Sequence, residues 1–330
     1  MTSALTTEQI AELRTGHTVG EDDLRLPETM SPRRMAWKRY WHHKGAAIST
    51  ILLSIVMIMV LATPLTARYG INEQVIKIEN GNNVFLPPQQ IAWFGTDDIG
   101  RDMYTRLLYG IRTSMFIGIA SAILATLIGT AVGAFAGLRG GKFDDFLMRV
   151  TDLFLAFPFL VLVILIREFL GGIGFLTPII GDKSSIRFII VLFAVFGWMY
   201  VARLVRGQVL ALKEREFIEA SRAAGASNFR IVTSHLLPNS IGPILVALTL
   251  TVIGSVVAES TLSFFGFGPQ PGSGNTSLGN LIQLSQDAVG RGDWWLTVFP
   301  CGSLVLLAVC INFIGDGLRD ALDPKLDSGR

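Results

Sequence analysis

The sequence predicts an all-α protein that crosses a membrane six times, and three observations carry that prediction. Hydrophobic residues make up 50% of the 330-residue chain and charged residues 16%, where a soluble globular chain holds about a quarter charged. Mean hydropathy is +0.49. The apolar residues gather into six runs, each near the roughly 17–25 residues that a spanning helix needs. Such a composition excludes a soluble enzyme and a disordered chain. The 28 basic and 26 acidic residues leave a net charge of +2, which implies no nucleic acid or other polyanion as partner.

The runs lie at 47–67, 114–137, 151–170, 188–202, 241–262 and 295–315. The fourth is short and is expected to extend to Val205 or beyond. The first starts far from Met1 and lacks a small-x-small cleavage site, so it reads as a retained span rather than a signal peptide. The resulting organisation is a tail over 1–45, a first-span segment over 46–67, an outer loop over 68–113, a five-helix core over 114–315 and a second tail over 316–330. The first tail is expected to be mostly disordered, given Gly16, Gly20, Pro27 and Pro32, with one capping-box pattern at Thr6 to Gln9. Counted from Arg33 onward, Lys and Arg number 17 on the side of the two tails and 8 on the other. By the positive-inside rule both termini are expected in the cytoplasm.

The most informative stretch is the long loop over 203–240 between the fourth and fifth spans. It reads as helix, turn, helix. Good helix formers run from Glu214 to Ala224, Gly225 is placed as the left-handed residue that stops the helix, and Ser227 can cap the next. Pro238 is expected to close that second helix before the fifth span. Phe217, Ile218 and Ala224 are apolar, while Glu214, Glu216 and Glu219 are acidic. On physics alone two roles stay open: docking into a groove of a soluble partner, or an amphipathic pair lying on the membrane surface.

In the outer loop, Thr96, Asp97 and Asp98 are expected to begin a helix, with Gly100 near its start and Arg101, Asp102 and Arg106 supplying close opposite charges. A salt-bridged entrance helix and a carboxylate cluster for a metal both fit this pattern. Arg167 is expected to snorkel to the outer headgroups. Glu259, near the outer end of the fifth span, either lines the mouth of a pathway or bonds to a neighbouring helix end. Asp152 reads equally as a helix-terminal charge or a gate residue.

Chemistry of the chain's own finds little support. The G-x-x-x-x-G-K-[ST] phosphate loop fails around Lys142, because Ala136 and Phe143 occupy two of its required positions. Gly140 and Gly141 there read as a turn between the second and third spans. His17, His42, His43 and His235 have no zinc-site spacing, and His42 and His43 read as an interfacial pair beside Trp41. Cys301 and Cys310 lie roughly 13 Å apart along one helix, too far to bridge. No charged residue falls at mid-membrane depth, which speaks against a proton- or sodium-driven carrier.

Glu219, Ala220 and Ser221, then Gly225, then Ile231, then Leu237 and Pro238, resemble the E-A-A…G…I-x-L-P loop of ABC importer permeases. The chain departs from that pattern at Ser221, where the family has Ala, and at His235, where it has Ile. The stretch Gly95, Thr96, Asp97, Gly100, Arg101 and Asp102 is similar to the G-T-D-x-x-G-R-D pattern of the dipeptide/oligopeptide/nickel branch, in its C-type subunit. Further similarity covers 37–64, 152–158, 259–268 and 315–324, in the family's order.

The resemblance implies a type I importer permease core with an added N-terminal helix, in a bacterial or archaeal cytoplasmic membrane. It implies that Phe217, Glu219, Ala220, Ser221, Gly225 and Pro238 belong to a loop seated in the cleft of an ATPase subunit. Asp97, Arg101, Asp102 and Glu259 become candidates for the pathway or its outer gate. It further implies a second homologous permease, one or two ATPase subunits that bind ATP and Mg, an extracytoplasmic binding protein and a peptide substrate, with nickel complexes or oligosaccharides as alternatives. No cofactor is expected on this chain. A stand-alone secondary carrier or channel is the contrasting hypothesis, and the loop around Glu219 speaks against it.

Overall fold

The computed structural model describes residues 31–77, 84–170, 178, 181–269 and 276–322. The capping box at Thr6, most of the first tail, much of the loop after the third span and the chain beyond Leu322 lie outside the described residues. The described chain is helical, with two isolated β-bridges in the outer loop.

Thirteen helical segments are named here in chain order. Helix α1 covers Pro32–His42, α2 Lys44–Leu61 and α3 Thr63–Thr66. Helix α4 covers Met103–Arg139, α5 Gly141–Leu155, α6 Phe159–Leu170 and α7 Ile186–Lys213. Helix α8 covers Glu216–Ala223 and α9 Asn228–Ile231, which runs through a π-helical turn at Val232–Leu236 into α10, Leu237–Phe264. Helices α11, α12 and α13 cover Leu278–Leu284, Gln286–Val289 and Trp295–Leu322. Among the described residues five helices are long and apolar enough to cross a membrane, and the bent pair α5–α6 brings the number to six if it counts as one span.

Helix α4 is the centre of the bundle and packs most extensively on α7, then on α10. The close approach to α7 is set by glycines one turn apart. A Cβ on Gly129 would sit 2.6 Å from the Trp198 carbonyl oxygen, and one on Gly133 2.3 Å from that of Ala202. Small residues at this spacing let two backbones touch, which is where packing energy comes from when lipid is as apolar as the side chains.

Several expected boundaries are corrected. The second span begins at Met103 rather than at 114, because the Asp102 carboxylate caps it by accepting from the Thr105 N–H at 2.8 Å. At about 1.5 Å per residue α4 is ~55 Å long, well beyond a hydrocarbon core of about 30 Å. Its extra turns are covered by protein: Met103, Leu107 and Ile111 pack with Leu278, Leu281 and Trp295. The third span is not one helix but α5 and α6, bent by 93°. Pro158 explains the break, since its ring lacks an N–H and disfavours helical backbone at Phe157. The turn expected at Gly140 and Gly141 is present, with φ of 64° and 65°.

Pro238 does not end a helix. It sits in the first turn of α10, immediately after the π-helical turn, where the Leu237 N–H reaches back to the Val232 carbonyl. The wider turn relieves the crowding a proline ring imposes on the preceding turn. Asn239 Nδ2 donates to the His235 carbonyl at 2.7 Å, satisfying one acceptor there. Within the tail, Pro32 starts a helix rather than breaking one: proline is pre-shaped for a first helical turn.

Candidate functional site

The loop between α7 and α10 is held by its own caps. Helix α8 ends in a complete Schellman arrangement: the Ala226 N–H bonds the Ser221 carbonyl at 3.1 Å, and the Gly225 N–H bonds that of Arg222 at 2.9 Å. Gly225 has φ of 82°, which a residue with a Cβ adopts at a cost. The Ser227 hydroxyl then accepts from the Arg230 N–H at 3.3 Å and starts α9. These features match the helix, turn, helix expected from the sequence, with α8 two residues shorter at its start.

One side of α8 is locked and the other is open. Ile218 is fully buried with Val205, Val209, Ile231 and Leu236. Phe217, Glu219, Ala220, Gly225 and Pro238 are exposed, and Ser221 is half-buried with its hydroxyl 3.3 Å from His235 Nε2. The Phe217 ring meets the His235 ring edge-on at 6.3 Å, and Phe229 nearby is 77% exposed. Among the described residues Glu219 forms no ion pair.

Two ion pairs brace the end of the bundle that carries this loop. Asp144 of α5 accepts from Arg206 Nε and Nη2 of α7 at 2.5 and 2.6 Å, and Asp152 pairs with Arg203. Asp152 therefore sits in the last turn of α5 rather than at the start of a span. The Asp144–Arg206 pair was not legible beforehand, because its partners lie 62 residues apart.

The outer loop forms a compact lock, not the start of a helix at Asp97. Asp97 is fully buried; Oδ1 accepts from the Ile99 and Arg101 N–H groups at 3.1 and 2.9 Å, and Oδ2 from Arg101 Nε at 2.7 Å and from Arg106 Nη1. Gly100 has φ of 80°, and a Cβ there would lie 2.2 Å from the Ile76 carbonyl oxygen. Thr96 donates its hydroxyl to the Val84 carbonyl at 2.5 Å, and its own carbonyl accepts from Trp295 Nε1 at 3.1 Å. The motif residues thus tie the loop to the starts of α4 and α13. Among the described residues no three His, Cys, Asp or Glu side chains come together as a metal site.

Glu259 is also fully buried. It accepts from Ser114 of α4 and from Ser263, each at 2.6 Å, and the Ser114 hydroxyl in turn accepts from the Leu278 N–H at the start of α11. Three helices meet on this carboxylate. Arg167 does not snorkel outward: it is 3% exposed, donates to the Lys183 carbonyl at 3.2 Å and to Glu168 at 2.5 Å, and lies over the Phe267 ring. Polar groups face outward elsewhere. A groove of about 290 Å³ between α6, α7 and α10 is lined by Phe159, Tyr200, Thr251, Gly254 and Ser255 among others. Thr251 lies at the middle of the 241–262 apolar run, and Tyr200 is 53% exposed.

With this geometry in view, comparisons with known proteins decide the family. Residues 129–328 match the model of the binding-protein-dependent transport system inner membrane component, and 31–88 match the N-terminal TM domain of oligopeptide transport permease C. The chain is 38% identical over 305 residues to the dipeptide transport system permease protein DppC of Bacillus subtilis, covering 92% of this chain and 89% of that protein. It is 38% identical over 300 residues to the oligopeptide transport system permease protein OppC of the same organism, covering 91% and 92%. The OppC of Mycobacterium tuberculosis is 36% identical over 305 residues, covering 92% and 99%. An inward-facing structure of the MetNI methionine ABC transporter superposes with a TM-score of 0.52 at 24% identity, covering 66% of this chain and 96% of that chain; at that identity the likeness speaks to the fold alone. A multi-pass helical bundle of this fold, matched over most of its length by a family model and by relatives of such identity, belongs to the binding-protein-dependent transport system inner membrane components.

Proposed function

We propose that this chain is the C-type permease subunit of an ATP-driven importer of di- or oligopeptides, with both termini in the cytoplasm and with α8 as the docking site of an ATPase subunit. The names of the relatives support peptide as the cargo. The observation that carries the docking site is the two-sidedness of α8: Ile218 is locked into the cluster shared with α7 and α10, while Phe217, Glu219, Ala220 and Gly225 face outward.

In this reading the partners are a second permease, one or two ATPase subunits and an extracytoplasmic binding protein. ATP and Mg bind in the ATPase subunits, and the present chain contributes no catalytic residue. Closure of the ATPase pair pushes on α8. Ile218 passes that push to α7 and α10, and the spans open toward the loaded binding protein, then reset after hydrolysis. A partner shifts two conformations only by its differential affinity for them, so the link must be rigid packing. Asp97, Arg101, Asp102 and Glu259 then hold the outer end together instead of lining the passage. The groove beside Tyr200 and Thr251 is the part of this chain that faces the cargo.

Glu219→Lys and Gly225→Asp test the docking site. Both are expected to cut ATPase co-purification and ATP-dependent peptide uptake about tenfold or more, the equivalent of ~1.4 kcal/mol of lost affinity, with membrane insertion unchanged. Wild-type co-purification and uptake in both variants would remove α8 from the docking role. Native mass spectrometry of the complex purified from its own host identifies the partners and the bound cargo together.

A further inference from the structure

Helix α1 is used by neither the coupling loop nor the outer lock. One face of its eleven residues carries Arg34, Trp37, Lys38 and Trp41, a stripe at i, i+3, i+4 and i+7. All four are exposed, Trp37 by 66% and Trp41 by 38%, and the two indoles meet edge-on with centroids 5.6 Å apart. Among the described residues neither Arg34 nor Lys38 has an ion-pair partner. Two tryptophans and two cations held outward on one helix face are an unusual surface to leave in water.

Contacts at the end of α1 fix where the stripe sits. Tyr40 packs against Gly317 of α13, where an added Cβ would lie 3.2 Å from the ring, and its hydroxyl bonds Thr50 of α2 at 2.5 Å. His43, the single residue between α1 and α2, caps α2 by accepting from the Ala46 N–H at 3.0 Å, and its other nitrogen lies 3.8 Å from Asp320. Helix α1 is therefore clamped beside Gly317–Asp320, just past the end of the last apolar run, and one residue before the first span enters the bilayer. That is the depth of lipid headgroups. Indole rings favour that layer, with the ring in the acyl boundary and the N–H toward water, and cations there meet lipid phosphates.

We propose that the Arg34–Trp37–Lys38–Trp41 stripe is a binding site for anionic phospholipid headgroups, holding α1 at the membrane surface and the first span against α13. Charge complementarity selects the occupant: two cations without an ion-pair partner among the described residues, and no acidic residue on the stripe, fit an anionic headgroup, and the paired indoles fit the acyl boundary beneath it. The clamp of Tyr40 and His43 on α2 and α13 keeps this face turned away from the bundle.

The test uses the full-length chain, purified with whatever partners accompany it, in nanodiscs of phosphatidylcholine with or without phosphatidylglycerol. Native mass spectrometry after release from the discs counts retained phosphatidylglycerol. The double variant Arg34→Glu with Lys38→Glu is expected to retain several-fold less than wild type, and Arg34→Lys with Lys38→Arg to retain as much. In discs containing brominated phosphatidylcholine, Trp37→Phe is expected to remove a component of the quenched tryptophan emission. Equal retention of phosphatidylglycerol by wild type and the Glu variant overturns the proposal. So does a Glu variant that keeps its lipid and loses a protein partner, which would make the stripe a protein-docking face.

Discussion

Asp144 grips Arg206 with both carboxylate oxygens, at 2.5 and 2.6 Å, and this pair ties the first turn of α5 to α7 at the end of the bundle that carries the loop between α7 and α10. Asp144 is 4% exposed, so its carboxylate has little access to water once the partner is gone. Bidentate carboxylate–guanidinium contacts are among the stronger side-chain bonds and fix orientation as well as distance. Arg206→Gln is expected to destabilise the folded chain by about 1–3 kcal/mol, the cost of leaving a buried polar group short of its partner. Thermal unfolding in nanodiscs checks this. An unchanged midpoint would show that the pair contributes nothing net.

The outer lock makes a sharper contrast between two adjacent carboxylates. Asp97 is buried and neutralises Arg106, itself 2% exposed, whereas the Asp98 side chain is 46% exposed and lies 3.5 Å from Arg101. Asp97→Asn leaves a buried guanidinium without its counter-charge and is expected to cost about 3–5 kcal/mol. Asp98→Asn is expected to cost under about 1 kcal/mol, as exposed pairs do. Limited proteolysis of the loop over 84–102 and thermal unfolding together read both. Equal effects would mean that Asp97 is not the centre of the lock.

Ile218 is the inward anchor of α8. Its truncation in Ile218→Ala removes buried volume from a cluster that α8 shares with α4, α7, α9 and α10 and is expected to cost about 2–4 kcal/mol. The loss should be local. Hydrogen exchange over 214–240 should accelerate while exchange across α4 stays protected, and ATP hydrolysis should persist with reduced peptide uptake. Retention of full uptake with a loosened loop would argue that coupling does not pass through this residue.

Gly254 lines the groove at mid-span, and a Cβ placed there meets no atom within 4 Å. Gly254→Trp fills part of the roughly 290 Å³ without displacing the chain's own packing. Assembly with partners should be unchanged and uptake of the longest peptides should fall first. Normal uptake across all peptide lengths would take the groove out of the passage.

Much of this was readable along the chain because it depends on local chemistry. The stop at Gly225, the cap at Ser227 and the turn at Gly140 and Gly141 each follow from backbone preferences that act within a few residues, and five of the six apolar runs lie on unbroken helices long enough to cross a membrane. The similarity of the loop around Glu219 to importer permeases likewise lies in contiguous residues, and the family followed from it. Where local rules failed, a distant contact or a competing local device had intervened. The start of α4 moved to Met103 because Asp102 caps it and because Leu278, Leu281 and Trp295 cover the added turns, so its falling hydropathy did not matter. Pro238 stayed inside a helix because a π-helical turn absorbed it, while Pro158 broke one.

The roles of the charged residues belong to the tertiary structure. Asp97, Glu259 and Arg167 look alike on paper, as ionisable groups near the ends of spans. Their surroundings separate them: Asp97 is held by Arg101 and Arg106, Glu259 by Ser114 and Ser263, and Arg167 by Glu168 and the Lys183 carbonyl. Burying a charge is tolerable only where partners converge on it, and convergence of residues 9, 145 or 16 positions apart is a property of packing. Apolar runs and capping, which are local features, therefore mark the candidate spans and the shape of the loop. Which charges brace the molecule, and which polar groups are left open along the groove beside Tyr200 and Thr251, is settled when α4, α7, α10 and α13 close on one another.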